Sequence, residues 1–126
     1  MIELDELDES LRQVVLLDRI VELARTSIRK SDILEKLDTR TIVVALPGCG
    51  RIGMTRVADA IRQRAWAASM EINGDMQTTV TIGAVHTTEA ALVEVDDLLL
   101  AARVNLDAAR AAGGNRTNWS DWTELP

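Results

Sequence analysis

The sequence predicts an α+β domain in which helices cover a mostly antiparallel sheet. Three observations predict it. Two short apolar runs, residues 33–37 (ILEKL) and 41–46 (TIVVAL), are joined through a polar tip, Asp38-Thr39-Arg40-Thr41, which makes an antiparallel hairpin. Three long segments, about 10–30, 51–72 and 94–112, carry apolar residues at helical spacing. Between the second and third of these lies QTTVTIGAV (77–85), a strand with threonine alternating on one face.

In chain order, residues 2–7 (IELDEL) are either a short edge strand or the run-in to a helix. As a strand they would make the core a βαββαβ unit. From Ser10, a plausible N-cap, to Lys30 a helix turns Leu11, Val14, Val15, Ile20, Leu23, Ala24 and Ile28 inward. Pro47-Gly48 stops the hairpin's second strand. The next helix points Ile52, Val57, Ile61, Ala65 and Trp66 to the core, and Asn73-Gly74-Asp75 is a turn after it. In the last helix Val95, Leu98, Leu99, Ala102, Leu106 and Ala109 share a side, and Gly113-Gly114 ends it. Residues 115–126 add an edge strand and then a tail, with the domain taken as 1–118 and the tail as 119–126.

The 126 residues amount to one domain. Its core is aliphatic, because Phe and Tyr are absent and the aromatics are Trp66, Trp119 and Trp122. A net charge of −6 and a pI near 4.7 argue against non-specific binding to nucleic acid or an anionic membrane, leaving room for a small anion held by a local arginine pair. Cys49 is the single cysteine, so no internal disulfide forms and a reducing cytoplasm is the simplest compartment. The acidic start is unlike a signal peptide, and no apolar run approaches the roughly 20 residues that span a bilayer.

The stretch SIRKSDILEKLDTRTIVVALPGCG resembles the centre of the GGDEF domain, the diguanylate cyclase fold. In that family Arg-x-x-Asp precedes a strand, a Gly-Gly-Asp/Glu-Glu-Phe hairpin follows, and an apolar strand ends in Leu-Pro. Arg29-Lys30-Ser31-Asp32, the hairpin Asp38-Thr39-Arg40-Thr41-Ile42 and Leu46-Pro47 stand at the matching places. VADAIRQ is similar to the family's next helix, Thr79 to Gly83 to its "VTVSIG" strand, and AARAAGGNR (108–116) to its closing "A-K-x-x-G-R-N". The matches keep their order over about 100 residues.

The departures fall on the nucleotide site that the resemblance implies. Glycines at the family's hairpin tip let guanine and ribose approach the backbone where a Cβ would intrude, but Asp38 and Thr39 stand there. Family acids that hold metal and the reacting end of GTP are replaced by Arg40 and Thr41. Two-metal phosphoryl transfer needs carboxylates to hold the cations, and a guanidinium repels them. Glu3 matches the family's first-strand metal Asp only if several residues are deleted before the helix. Arg110 replaces a phosphate-contacting Lys, and Gly114 replaces an Arg. The resemblance therefore implies a catalytically inactive signalling module, needing no cofactor or metal, that dimerises or contacts another signalling protein. A shortened fold leaves apolar sheet uncovered, and burial is worth about 25 cal/mol per Å². The alternative is a cyclic di-GMP receptor. Arg29 and Asp32 match the family's inhibitory site, where Arg serves phosphate and guanine and Asp accepts from a guanine edge. A family Arg on the following helix corresponds to Ala60, with Arg56 and Arg62 a turn away.

Other candidates have plainer readings. His86 lacks a Cys or acid at metal spacing and reads as structural, and Cys49 lacks an activating base and reads as a spectator. Pro47-Gly48-Cys49-Gly50 before Arg51 is a turn rather than a phosphate loop. Glu3, Asp5, Glu6, Asp8 and Glu9 read as a solvated acidic end, and Trp119 and Trp122 as tail packing against the sheet or a partner surface.

Overall fold

The computed structural model describes residues 1–5, 11–73, 78–88 and 93–122. Its elements are β1 (Ile2–Leu4), α1 (Leu11–Arg25), β2 (Ile33–Lys36), β3 (Thr41–Ala45), α2 (Arg51–Asn73), β4 (Val80–His86), α3 (Val95–Ala111) and β5 (Thr117–Asp121). The sheet order is β2-β3-β1-β4-β5. β1 is antiparallel to both β3 and β4, β2 and β3 form the expected hairpin, and β5 runs parallel to β4. This is the expected α+β architecture with a mostly antiparallel sheet flanked by helices.

Period-two alternation divides the sheet residues between two faces. Ile2, Leu4, Leu34, Ile42, Val80 and Ile82 form one core with Leu16, Leu17, Ile20 and Ala24 of α1 and Ala58, Ile61, Ala65 and Ala68 of α2. α3 lies on the other face, over β4 and β5. Gly83 permits that approach: a Cβ there would stand 2.2 Å from the backbone nitrogen of Leu106 and 2.3 Å from the carbonyl of Ala102. α3 ends where its last carbonyls receive the N–H groups of Ala112, Gly113 and Gly114, and both glycines take positive φ, 120° and 69°. β2 has no helix over this second face, and its Ile33 is exposed there.

Several expectations are corrected. Residues 2–4 form a strand at the centre of the sheet, not its edge, because β3 and β4 pair with its two sides and all three residues are buried. Val14 and Val15 are exposed. The inward stripe of α1 runs through Leu17, Ile20 and Ala24, and at about 100° per residue both valines point more than 100° from Ile20. Ile52 and Trp66 of α2 are exposed for the same reason, being turned away from Ile61. Val95 lies on the inward side of α3 but about two turns ahead of the contact with Gly83, and is exposed. The strand expected at 77–85 begins at Val80 and ends at His86. The boundary drawn after residue 118 falls inside β5. The Ser10 cap, residues 74 and 75 of the expected turn, and Glu6, Asp8 and Glu9 lie outside the described residues. Among the described residues no helix is long and apolar enough to cross a membrane.

Candidate functional site

Three local arrangements bear on function. The first is centred on Glu3. Alternation along β1 sends Ile2 and Leu4 to the α1/α2 core and Glu3 to the α3 side, where it is 5% exposed. Three guanidiniums converge on it. Arg110 Nη1 is 2.5 Å from Oε1, Arg103 Nη1 is 3.2 Å from Oε2, and Arg40 Nη2 is 3.4 Å from Oε1. The Thr41 hydroxyl donates to Oε2 at 3.0 Å. Arg40 and Arg110 also donate to the Leu4 carbonyl at 3.2 and 3.0 Å. Arg103 and Arg110 are seven residues apart, two turns along one side of α3, while Arg40 reaches back from the hairpin tip. The contacts at Oε1 are charge contacts without hydrogen-bond geometry, and Arg40 Nε is buried with no hydrogen-bond partner among the described residues. Beside this cluster Asp5 accepts from the hydroxyls of Thr79 and Thr81 and from the Asn115 N–H.

The hairpin tip is the second arrangement. The Asp38 carboxylate accepts from the Arg40 N–H at 2.9 Å, and the Leu37 N–H donates to the Thr41 carbonyl at 2.8 Å. Partial burial pushes the Asp38 carboxyl up. The N–H groups of Arg40 and Thr41, the Thr41 hydroxyl and the Arg103 charge outweigh that and hold it below the usual carboxylate value. Gln13 of α1 donates to the Thr39 carbonyl at 3.3 Å. Next to this contact a groove of about 270 Å³ runs between α1 and the hairpin, lined by Val14, Leu17, Lys36, Leu37, Asp38 and Thr39.

The third is the Arg29/Asp32 pair. Asp32 accepts the Arg29 N–H at 2.7 Å and its guanidinium at 3.0 and 3.3 Å. Arg29 Nη2 also donates to the Pro47 carbonyl at 2.6 Å. The Asp32 side chain is 2% exposed, whereas that of Arg29 is half in solvent. Burial raises the Asp32 carboxyl, and the Arg29 hydrogen bonds and charge win, leaving it below its ordinary value. Arg62 donates to the Asn115 carbonyl at 2.6 Å, on a different part of the surface.

Two groupings escaped sequence reasoning. Arg103 joins the Glu3 cluster, and its seven-residue spacing from Arg110 was the available signal. His86 finds an acid after all: its Nδ1 is 3.1 Å from Asp121 Oδ1. Arg51 makes a paired contact to the same carboxylate at 2.8 and 2.9 Å. The Arg51 hydrogen bond is the chief cause holding Asp121 below the carboxylate range, and it joins the start of α2 to β5. Cys49 is half-buried and free.

The family model described as diguanylate cyclase, GGDEF domain, matches residues 15–116. Among solved structures, the diguanylate cyclase SiaD from Pseudomonas aeruginosa, in complex with its activator SiaC, superimposes with a TM-score of 0.76 at 14% sequence identity. The match covers 94% of this chain and 48% of that one, so the chain spans about half of SiaD's length. No curated protein matches the chain.

Proposed function

The chain belongs to the GGDEF domain family, and on that premise we propose that this member is a catalytically inactive, cytoplasmic signalling module that acts by dimerising or by contacting another protein. One observation carries the reading: the Arg40 guanidinium lies against the Glu3 carboxylate, at the place where the family resemblance expects acids to hold a metal. The residues present do not fit a divalent cation. Three guanidiniums neutralise the buried Glu3 carboxylate, and among the described residues no three His, Cys, Asp or Glu side chains converge. A cation brought to Glu3 would displace arginines and meet their charge. Asp38 and Thr39, which carry side chains, line the groove at the hairpin tip, where the family has glycine. A protein partner suits the exposed Ile33 on the helix-free face of β2, and SiaD, with the same fold, is solved with its activator.

The test is incubation of the purified chain with GTP and Mg²⁺ or Mn²⁺, followed by chromatographic detection of cyclic di-GMP. No product above the background without protein is expected. Product formation that tracks protein concentration would overturn the reading.

A second reading, a cyclic di-GMP receptor, has one observation in its favour. Arg29 and Asp32 are side by side at the surface end of β2, with the guanidinium half in solvent. Against it, both Asp32 oxygens and two guanidinium nitrogens of Arg29 are already held within the chain.

A further inference from the structure

We propose that the outer face of α2 is the interface of an antiparallel two-fold dimer of this chain. This rests on the non-catalytic reading above and names the surface through which the module would self-associate.

α2 is about 34 Å long at 1.5 Å per residue. Its inner side is spent on the core through Ala58, Ile61, Ala65 and Ala68. On the outer side Ile52, Arg56, Asp59, Gln63, Trp66 and Met70 follow one another at alternating steps of four and three residues, and all are exposed. At about 100° per residue this row stays within an arc of about 80°. Ile52 is 72% exposed, Trp66 44% and Met70 43%.

The flanking polar residues of α2 are already engaged. Arg51 holds Asp121, Arg62 holds Asn115, Arg64 donates to Thr26, and Glu71 pairs with Arg19. Among the described residues, Arg56, Asp59 and Gln63 have no hydrogen-bond or ion-pair partner. The charged groups committed within the chain therefore border a row whose polar members remain available.

The order of residues in that row identifies the occupant. Ile52 and Met70 stand nine residues before and after Ile61, Arg56 and Trp66 five, and Asp59 and Gln63 two. A two-fold axis at the level of Ile61 would pair each residue with its counterpart. Ile52 would meet Met70 of the second copy, Arg56 would cover the Trp66 ring, and Asp59 would accept from Gln63. These are an apolar contact, a cation–π contact and a hydrogen bond, each made twice, as an isologous interface requires. A parallel pairing would set Arg56 on Arg56 and Asp59 on Asp59. The row carries one cation and one anion, so it adds no repulsion to a chain of net charge −6. A single helix face per copy is a small interface, which calls for micromolar working concentrations.

The test is sedimentation equilibrium from 5 to 500 μM on the whole chain, its Trp66→Glu and Ile52→Lys variants, and Ile33→Glu on the open face of β2. The expected result is a dimer whose dissociation constant rises at least about thirtyfold in the two α2 variants, with unchanged far-ultraviolet circular dichroism, and stays level in Ile33→Glu. Register is read by disulfide cross-linking in a Cys49→Ser background. Ile52→Cys with Met70→Cys should cross-link and either single variant should not, since copies of residue 52 would lie about 27 Å apart along the axis. A dimer untouched by both α2 variants would overturn this surface and leave self-association standing. A monomer at 500 μM would overturn the surface and the dimer together, while the GTP assay tests the inactive reading on its own. Cross-linking of the single Ile52→Cys variant would overturn the antiparallel register.

Discussion

Glu3 on the central strand and Arg103 on α3 are 100 residues apart in the chain and meet at 3.2 Å. With Arg40 and Arg110 they join β1, the hairpin tip and α3 through one carboxylate. Glu3→Gln would leave three guanidiniums facing each other with their shared anion gone. Removing one partner from a buried ion cluster costs about 3–5 kcal/mol, and urea unfolding should show a loss of that size. Arg103→Ala, at a half-exposed position with two arginines left on Glu3, should cost about 1 kcal/mol. Equal losses for the two variants would show that the carboxylate is not the centre of the cluster.

Acid should destabilise the fold through three aspartates. Asp32, Asp38 and Asp121 are all held below the ordinary value of 3.8. A carboxyl with a depressed folded-state pKa binds its proton more readily once unfolded. Its stabilising contribution is thus fully present above 3.8 and is lost as pH falls through the lower folded-state value. The urea midpoint should fall below pH 4 as these carboxylates take up protons, and Asp32→Asn should reduce that slope. A midpoint that rises on acidification would refute the assignment.

Cyclic di-GMP should give no heat on titration into the protein. The Arg29 edge that faces Asp32 and Pro47 is already spent, and the Asp32 carboxylate a guanine edge would need is 2% exposed. Micromolar binding that disappears in Arg29→Ala would transfer the function to the receptor reading.

Local chemistry was legible wherever one short segment decided the outcome. The β-branched run from Thr41 and the polar tip before it placed the β2–β3 hairpin, and Gly113-Gly114 marked the end of α3. The phase of the helices was less legible. Val14, Val15 and Ile52 are as apolar as their buried neighbours, and which apolar row turns inward depends on the sheet underneath. The parallel pairing of β5 with β4 is set by the crossover through α3, which no residue of TNWSD announces. In the candidate site, the presence of Arg40 and Thr41 at the hairpin tip was visible in sequence. The destination of Arg40 was not, because Glu3 comes from a segment 37 residues earlier and the other two arginines from a third.

The position of β1 also governs assembly. Ile2 and Glu3 pair on one side with Ile42 and Thr41, and all three residues pair on the other with Ile82, Thr81 and Val80. A growing chain that has emerged only through α2 can close the β2–β3 hairpin, but the second edge of β1 stays open until β4 is synthesised. The sheet cannot zip up from one end. It closes around its middle strand in a late step that draws distant segments together, so folding should be slower than that of a helical bundle of the same size.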